Sequence, residues 1–470
     1  MPIKFGTDGW RDVIAEGYTF ENVARVSLAS ARYFKTLPRI KNGIFIGYDA
    51  RFLSREFAEL AARVIAAEGI KVYLSDTLCA TPATSLAIVE HKLAAGVMIT
   101  ASHNPARYNG YKIKGWYGGA ALPDAIAKIE EECADVIKHI DIADHLTSIP
   151  GYDKLVAKKR VVGLDAKKLY ISRLKKLVKF DLIKKSKLKL AYDPMYGAGI
   201  ETLEHLFPET AILHNVWNPG FGNTPPEPLP QNTKEFSKFI VEGGFDLGLV
   251  TDGDADRIGA IDENGIFFSS QMILCLLLKY LVEVKKKKGE VAVSLSVTSM
   301  IDSMCKKYGL KLHRTPVGFK YITEFMLKGN ILIGGEESGG IGIPSVHIPE
   351  RDGLFNGLLL AEICAYYKKT LGELVKDLEK EYGVHSYDRY DFHTTEERKK
   401  SVLAKAKKGF TTIADKKVTE TITRDGFKYL LADGSWLMIR TSGTEPLLRY
   451  YAESKSTATT KKLLEFAKKL

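Results

Sequence analysis

Apolar runs of four or five residues recur along this chain, each followed by a stretch in which apolar positions return every three or four residues. Residues 44–48 (Ile-Phe-Ile-Gly-Tyr) read as a buried strand, residues 54–68 as a helix with one apolar face, and residues 71–74 as a second strand. The order returns at 188–192, 199–207 and 211–214, and again at 291–295, 299–308 and 311–313. Strand, helix and strand joined by short turns is the signature of parallel sheets covered by helices. The unequal distances between copies predict successive domains rather than a solenoid. After residue 385 the pattern changes to a strand-like stretch at 386–392, a Lys-rich helix, short strands at 427–431 and 435–439, and a closing helix at 457–470. The chain therefore reads as three consecutive α/β domains with mixed, mostly parallel sheets (1–155, 156–263 and 264–384) and a smaller C-terminal α+β domain (385–470).

Composition narrows the class. With 470 residues, 45% apolar and 27% charged, the chain has length for three or four domains and too much apolar content for wholesale disorder. Its longest apolar run, 272–278, is stopped by Lys279, well short of the ~18 residues of a membrane helix. The opening MPIKFGTDGWRD has charges and glycines where a signal peptide needs an apolar core. Five cysteines with no Cys-x-x-Cys pair argue against a disulfide framework and a Cys-based zinc site, so a cytoplasmic protein is expected. The formal net charge is +11. The lysine clusters at 184–187, 285–288 and 398–408 adjoin turns or fall on helices expected to be exposed, without interleaved aromatics. Neither nucleic acid nor membrane is expected as a partner, and small anionic substrates are.

Four polar loops carry candidate chemistry, one in each domain. Thr-Ala-Ser-His-Asn-Pro at 100–105 follows the apolar run 96–99, so Ser102 is expected at the C-terminal end of a strand, where open α/β sheets bind ligands. There is no Gly-x-Ser-x-Gly elbow, and His103 is too near in sequence for the usual triad role, which disfavours a serine hydrolase. Lys112 is a candidate general base if burial or nearby cations lower its pKa. In the second loop, Asp252, Asp254 and Asp256 alternate between strands at 246–250 and 258–261. An EF-hand fails here, because Arg257 stands where that loop needs Gly and the flanks are strands. Three carboxylates leave coordination positions for a phosphate oxygen or water, which suits Mg²⁺. The third loop, Gly-Gly-Glu-Glu-Ser-Gly-Gly at 334–340, suits hydrogen bonding to neighbouring sugar hydroxyls. The fourth, Arg-Thr-Ser-Gly-Thr-Glu-Pro at 440–446 with Arg449 beyond, suits an anion nest for phosphate. No Gly-Lys dipeptide occurs, so there is no Walker A loop.

These loops in this order, with Phe-Gly-Thr-Asp-Gly-Trp-Arg at 5–11, resemble the motifs of the α-D-phosphohexomutase family along essentially the whole chain. The resemblance implies four domains around a central cleft and gives roles by position. Ser102 would carry the phosphoryl group, and its phosphate oxygen would join Asp252, Asp254 and Asp256 on one Mg²⁺. Lys112 would be general base or acid, His103 and Arg257 would steady the transferring group, and Arg11 would assist beside the serine. Glu336 and Ser338 would grip sugar hydroxyls, with Lys320 also binding substrate. Arg440, Ser442, Gly443, Thr444 and Arg449 would hold the phosphate that is not transferred. The implied reaction interconverts glucose 1-phosphate and glucose 6-phosphate, with glucose 1,6-bisphosphate as intermediate and activator. Glu337 and Gly340 replace the Met and His of mannose-type members and the Gln and His of bacterial glucosamine-type members. Phosphomannomutase, phosphoglucosamine mutase and phosphopentomutase activities stay as alternatives, as does a Mg²⁺-dependent sugar phosphatase. A monomer or homodimer is expected. One serine serving both C1 and C6 requires the bisphosphate to turn over in the cleft, with a hinge near 382–386.

Overall fold

The computed structural model describes residues 3–6, 8–441 and 447–470. Four sheets follow one another along the chain. The first has the order Trp10–Val13, Tyr108–Gly115, Ala95–Ile99, Ile44–Tyr48, Val72–Ser75 and Val161–Leu164. Its last three pairings are parallel, whereas Tyr108–Gly115 runs antiparallel to both neighbours. The second sheet is built on Leu190–Asp193, with parallel neighbours Leu247–Thr251 and Ala211–Ile212. Ile258–Asp262 returns antiparallel to Leu247–Thr251, pairing Ile258 with Thr251 and pinching residues 252–257 into a loop. The third sheet places Glu290–Ser294 between the parallel strands Leu312–Thr315 and Ile331–Gly335. The fourth is antiparallel throughout, from Ser386–His393 to Thr412–Ile413. Three α/β domains and a C-terminal α+β domain are what the periodicity predicts.

Burial explains how they join. The helices Ser270–Glu283 and Gly353–Tyr367 are apolar on nearly every side, the pattern of a helix enclosed by protein. They sit in one continuous core that runs from Phe45 and Leu86 through Tyr170 and Leu249 to Leu358, so the first three domains are packed as a unit. The fourth domain has its own core around Val402, Tyr429, Ile439 and Leu463. It meets the third through a small cluster of Leu295 with Trp436, Met438 and Tyr451. Polar contacts complete the junction: Ser299 N–H donates to Glu453 (2.9 Å) and Lys428 Nζ to the Leu295 carbonyl (2.6 Å). Among the described residues no helix is long and apolar enough to cross a membrane.

Two expectations need correction. Val161–Leu164 pairs with Val72–Ser75, and Phe267–Phe268 with Ile258–Asp262, so the first two sheets reach past residues 155 and 263. The stretch 199–207, expected as a helix, contains only the 3₁₀ turn Leu203–His205. Gly199 packs so closely on Tyr192 that a Cβ would stand 2.1 Å from its hydroxyl, and Ala198 N–H donates to the Gly253 carbonyl (2.9 Å). Docking onto the 252–257 loop therefore replaces the first helical turn.

Candidate active site

The strand Ala95–Ile99 ends in a turn that holds Ser102 at φ 54°. This left-handed conformation costs a non-glycine residue roughly 1 kcal/mol, and the surroundings enforce it. Ser102 N–H donates to Thr100 Oγ1 (2.8 Å), and Ser102 Oγ donates to Asp252 Oδ2 (2.9 Å) and lies 3.4 Å from His103 Nδ1. Burial, together with Arg257 and Arg11, holds the His103 pKa well below its usual value, so the imidazole is neutral. Arg11 lies opposite Gly110 across the sheet and donates to Asn104 Oδ1 in the same loop (2.7 Å).

The aspartate loop is fixed from three sides. Thr81 N–H of the first domain donates to the Asp254 carbonyl (2.9 Å), and Gly353 N–H of the third to the Ala255 carbonyl (3.0 Å). Within the loop, Asp252 Oδ1 accepts from the Asp256 and Arg257 amides at 3.0 and 3.1 Å. Gly253 is required by contact with the serine loop, since a Cβ there would lie 2.3 Å from the Ser102 carbonyl oxygen. Asp252, Asp254 and Asp256 are buried, each offering an oxygen within 4.8 Å of the others. Asp254 Oδ1 and Asp256 Oδ1 are buried with no hydrogen-bond partner among the described residues. Burial and the neighbouring carboxylates Asp254 and Asp256 push the Asp252 pKa well up. Ligands at about 2.0–2.1 Å in an octahedron stand about 2.8–4.2 Å apart, so three oxygens this close need move by only a few tenths of an ångström at most to share one small hard cation.

Lys112 also points into this cluster, with Nζ 2.7 Å from Asp8, 2.8 Å from Asp254 and 3.4 Å from Asp256. Burial alone would lower its pKa, but Asp254, Asp8 and Asp256 outweigh it and raise the value. While those carboxylates are charged and unshared they favour the ammonium form of Lys112, the opposite of what a general base needs.

Asp8, Arg351, Glu227 and Arg389 were not singled out from the sequence, yet all line the cleft. Arg351 is buried and reaches Asp8 (2.6 Å), Asp256 (2.7 Å), Glu350 (3.3 Å) and Glu336 (4.0 Å). Its signal was the charged triplet 350–352 against an apolar helix, where a charge is not needed for solubility. Glu227 pairs with Arg257 (3.1 Å) and lies 3.9 Å from Arg389 of the fourth domain.

On the opposite wall, Glu336 accepts from Gly318 N–H (2.8 Å), and burial pushes its pKa up to about 7 against the pull of Arg351. Glu337 turns to the Ser296 and Ser294 hydroxyls, and Ser338 faces the cleft beside it. Arg389, Arg440 and Arg449 converge from the fourth domain, with Arg440 Nε 3.2 Å from Asp425. Ser102, His103, Lys112, Arg11, Arg257 and the three aspartates thus come together, with Glu336, Ser338, Arg440 and Arg449 across from them. Lys320 follows Phe319 of the cleft lining, with its Nζ 5.4 Å over the Tyr321 ring. Ser442, Gly443 and Thr444 fall outside the described residues.

Comparison with known proteins follows the same division. The chain matches Phosphoglucomutase/phosphomannomutase alpha/beta/alpha domain I over residues 2–139, domain II over 168–265, domain III over 269–382, and the C-terminal domain over 394–470. It is 29% identical to a phosphoglucomutase/phosphomannomutase of Thermococcus kodakarensis, over 99% of this chain and 98% of the relative. It is equally similar, at 29%, to a phosphoglucosamine mutase of Clostridium botulinum, over 97% of this chain and 96% of the relative. A solved structure assigned to the phosphomannomutases, from Thermus thermophilus, superposes with a TM-score of 0.84 at 31% identity, covering 100% of this chain and 99% of its own.

Proposed function

The chain belongs to the phosphoglucomutase/phosphomannomutase family of phosphohexomutases, and from that premise we propose that it interconverts glucose 1-phosphate and glucose 6-phosphate through a phosphoserine at Ser102. The observation that carries this reading is a cleft with two charged ends. Ser102 Oγ stands 2.9 Å from the aspartate cluster at one end, and Arg389, Arg440 and Arg449 line the other. A phosphatase needs only the first end; a bisphosphate held during exchange needs both.

Mg²⁺ bound to Asp252, Asp254, Asp256 and a Ser102 phosphate oxygen would neutralise charge on the transferring group. The protein's own groups supply the rest. The P–Oγ bond of Ser102 breaks as a bond forms to the sugar hydroxyl oxygen, and the hydroxyl proton must pass to Ser102 Oγ. Lys112 enters as an ammonium ion and adds positive charge beside the phosphoryl oxygens. His103 Nδ1, 3.4 Å from Oγ, steadies the transferring group from the serine side. Arg11 and Arg257 border the same position. Glu336 and Ser338 meet sugar hydroxyls, and Arg440 with Arg449 grips the resting phosphate. The glucose preference rests on the Glu-Glu-Ser-Gly-Gly form of the sugar loop.

A coupled assay on glucose, mannose, glucosamine and ribose 1-phosphates tests the reading. The highest kcat/KM is expected with glucose 1-phosphate, with labelled phosphate retained in the hexose 6-phosphate. Preference for another sugar overturns the glucose assignment, and labelled inorganic phosphate as main product overturns the mutase. Arg440→Ala should raise KM roughly tenfold, the scale of one lost charge-assisted hydrogen bond, and release more free bisphosphate per turnover. Normal KM with no added release would remove Arg440 as the phosphate anchor.

A further inference from the structure

Arg51 is a buried arginine outside every motif considered so far, and both of its terminal nitrogens donate to backbone carbonyls. The two terminal nitrogens donate to the carbonyls of Ser102 (2.7 Å), Asn104 (2.5 Å), Pro105 (2.9 Å) and Tyr108 (3.0 Å). Nε faces Asp49 Oδ2 at 3.2 Å, and Asp49 is itself fixed by the Arg51 amide (3.0 Å) and Ser54 Oγ (2.7 Å). A planar guanidinium is the only side chain that can gather four carbonyls and a carboxylate in this fork. The second domain braces it. The Phe221 ring lies 4.9 Å from the guanidinium carbon, and Trp217 Nε1 donates to the Ala50 carbonyl (3.0 Å).

The Ser102 carbonyl that Arg51 holds is the same oxygen that abuts Gly253, where no Cβ can fit. Arg51 therefore controls two things at once: the left-handed backbone of Ser102 and the seating of the serine loop on the aspartate loop. We propose that Arg51 is a positioning residue for phosphoryl transfer, holding Ser102 Oγ in register with Asp252, Asp254 and Asp256 without touching substrate. The inference rests on the phosphoserine reading above. Misplacement of a reacting atom by about 1 Å can cost on the order of 100-fold in rate, and Arg51 makes no contact that would alter sugar affinity.

Arg51→Lys tests this, because lysine keeps a charge for Asp49 but cannot span four carbonyls. Four quantities are measured with Mg²⁺ present: the melting temperature; kcat and KM on whichever hexose 1-phosphate the wild type turns over; and the rate at which glucose 1,6-bisphosphate phosphorylates Ser102, by intact mass. A folded Arg51→Lys protein should lose about 30-fold or more in kcat and in the phosphorylation rate, with KM within about threefold of wild type. Unchanged phosphorylation, or a loss confined to KM, overturns the role. If Arg51→Lys does not fold, Phe221→Leu removes the ring beneath the guanidinium and should lower kcat several-fold at constant KM; an unchanged kcat there is equally fatal. Wild type that accepts no phosphate on Ser102 would instead defeat the phosphoserine reading, so the two failures are distinguishable.

Discussion

Ser102→Ala is expected to reduce kcat by about 10⁴-fold or more, the scale on which removing a covalent nucleophile acts. The substitution deletes the oxygen that would carry the phosphoryl group and leaves the loop standing. Its backbone is held by Thr100 Oγ1 and the Arg51 guanidinium, neither of which uses the Ser102 side chain. Alanine keeps the cost of φ 54° unchanged from serine, so the melting temperature should move little. KM should stay near the wild-type value, since Glu336, Ser338 and Arg440 are untouched. Intact mass after incubation with glucose 1,6-bisphosphate should show a phosphate on wild type and none on the variant. Label that appears on another residue of wild type, or a variant with substantial turnover, would refute the assignment.

Excess chelator is expected to abolish turnover, and Asp254→Asn to weaken apparent Mg²⁺ affinity by at least about 100-fold. Three carboxylates buried within 4.8 Å of one another repel, and burial deepens the penalty for each charge. Lys112 and Arg351 offset part of it, but two carboxylate oxygens stay without hydrogen-bond partners among the described residues. A divalent ion answers that need and should also stabilise the fold. Saturating Mg²⁺ should raise the wild-type melting temperature through binding to the native state alone. Asp254→Asn should show a smaller rise, because one ligand has lost its charge. Asparagine still accepts from Thr81 Oγ1 and should leave the loop in place. Full activity in excess chelator, or an equal Mg²⁺ shift in both proteins, would contradict the metal site.

The candidate site was legible where chemistry is written into consecutive residues. Asp252, Asp254 and Asp256 fall in one loop, Ser102 and His103 in another, and the alternation of apolar strands with helices located both at sheet ends. Residues that act through space had no such mark. Asp8 and Arg351 meet only because Trp10–Val13 adds to the edge of the first sheet and the third domain packs on it. Arg389 lies on a strand with no fully buried position, so nothing local pointed it at the cleft. The Lys112 pKa could not be read either, because its sign depends on three carboxylates from two distant segments. The missing helix at 199–207 has the same origin: tertiary contact with the aspartate loop overrode local pattern.

The pairing of Asp8 with Arg351 spans 343 residues, and this separation has a consequence for the order in which the protein comes into being. Synthesis at about 5–20 residues per second puts roughly 20–70 s between the emergence of the two partners. Through that interval Asp8 has no Arg351 to meet, although Lys112 of the first sheet can already reach it. Loop-closure entropy makes so distant a contact a late event in refolding as well. Nascent chains therefore display a serine loop and later an aspartate loop before the arginine that ties them to the sugar loop exists. The contact between Asp8 and Arg351 can form only after the strands of the first three sheets have been synthesised.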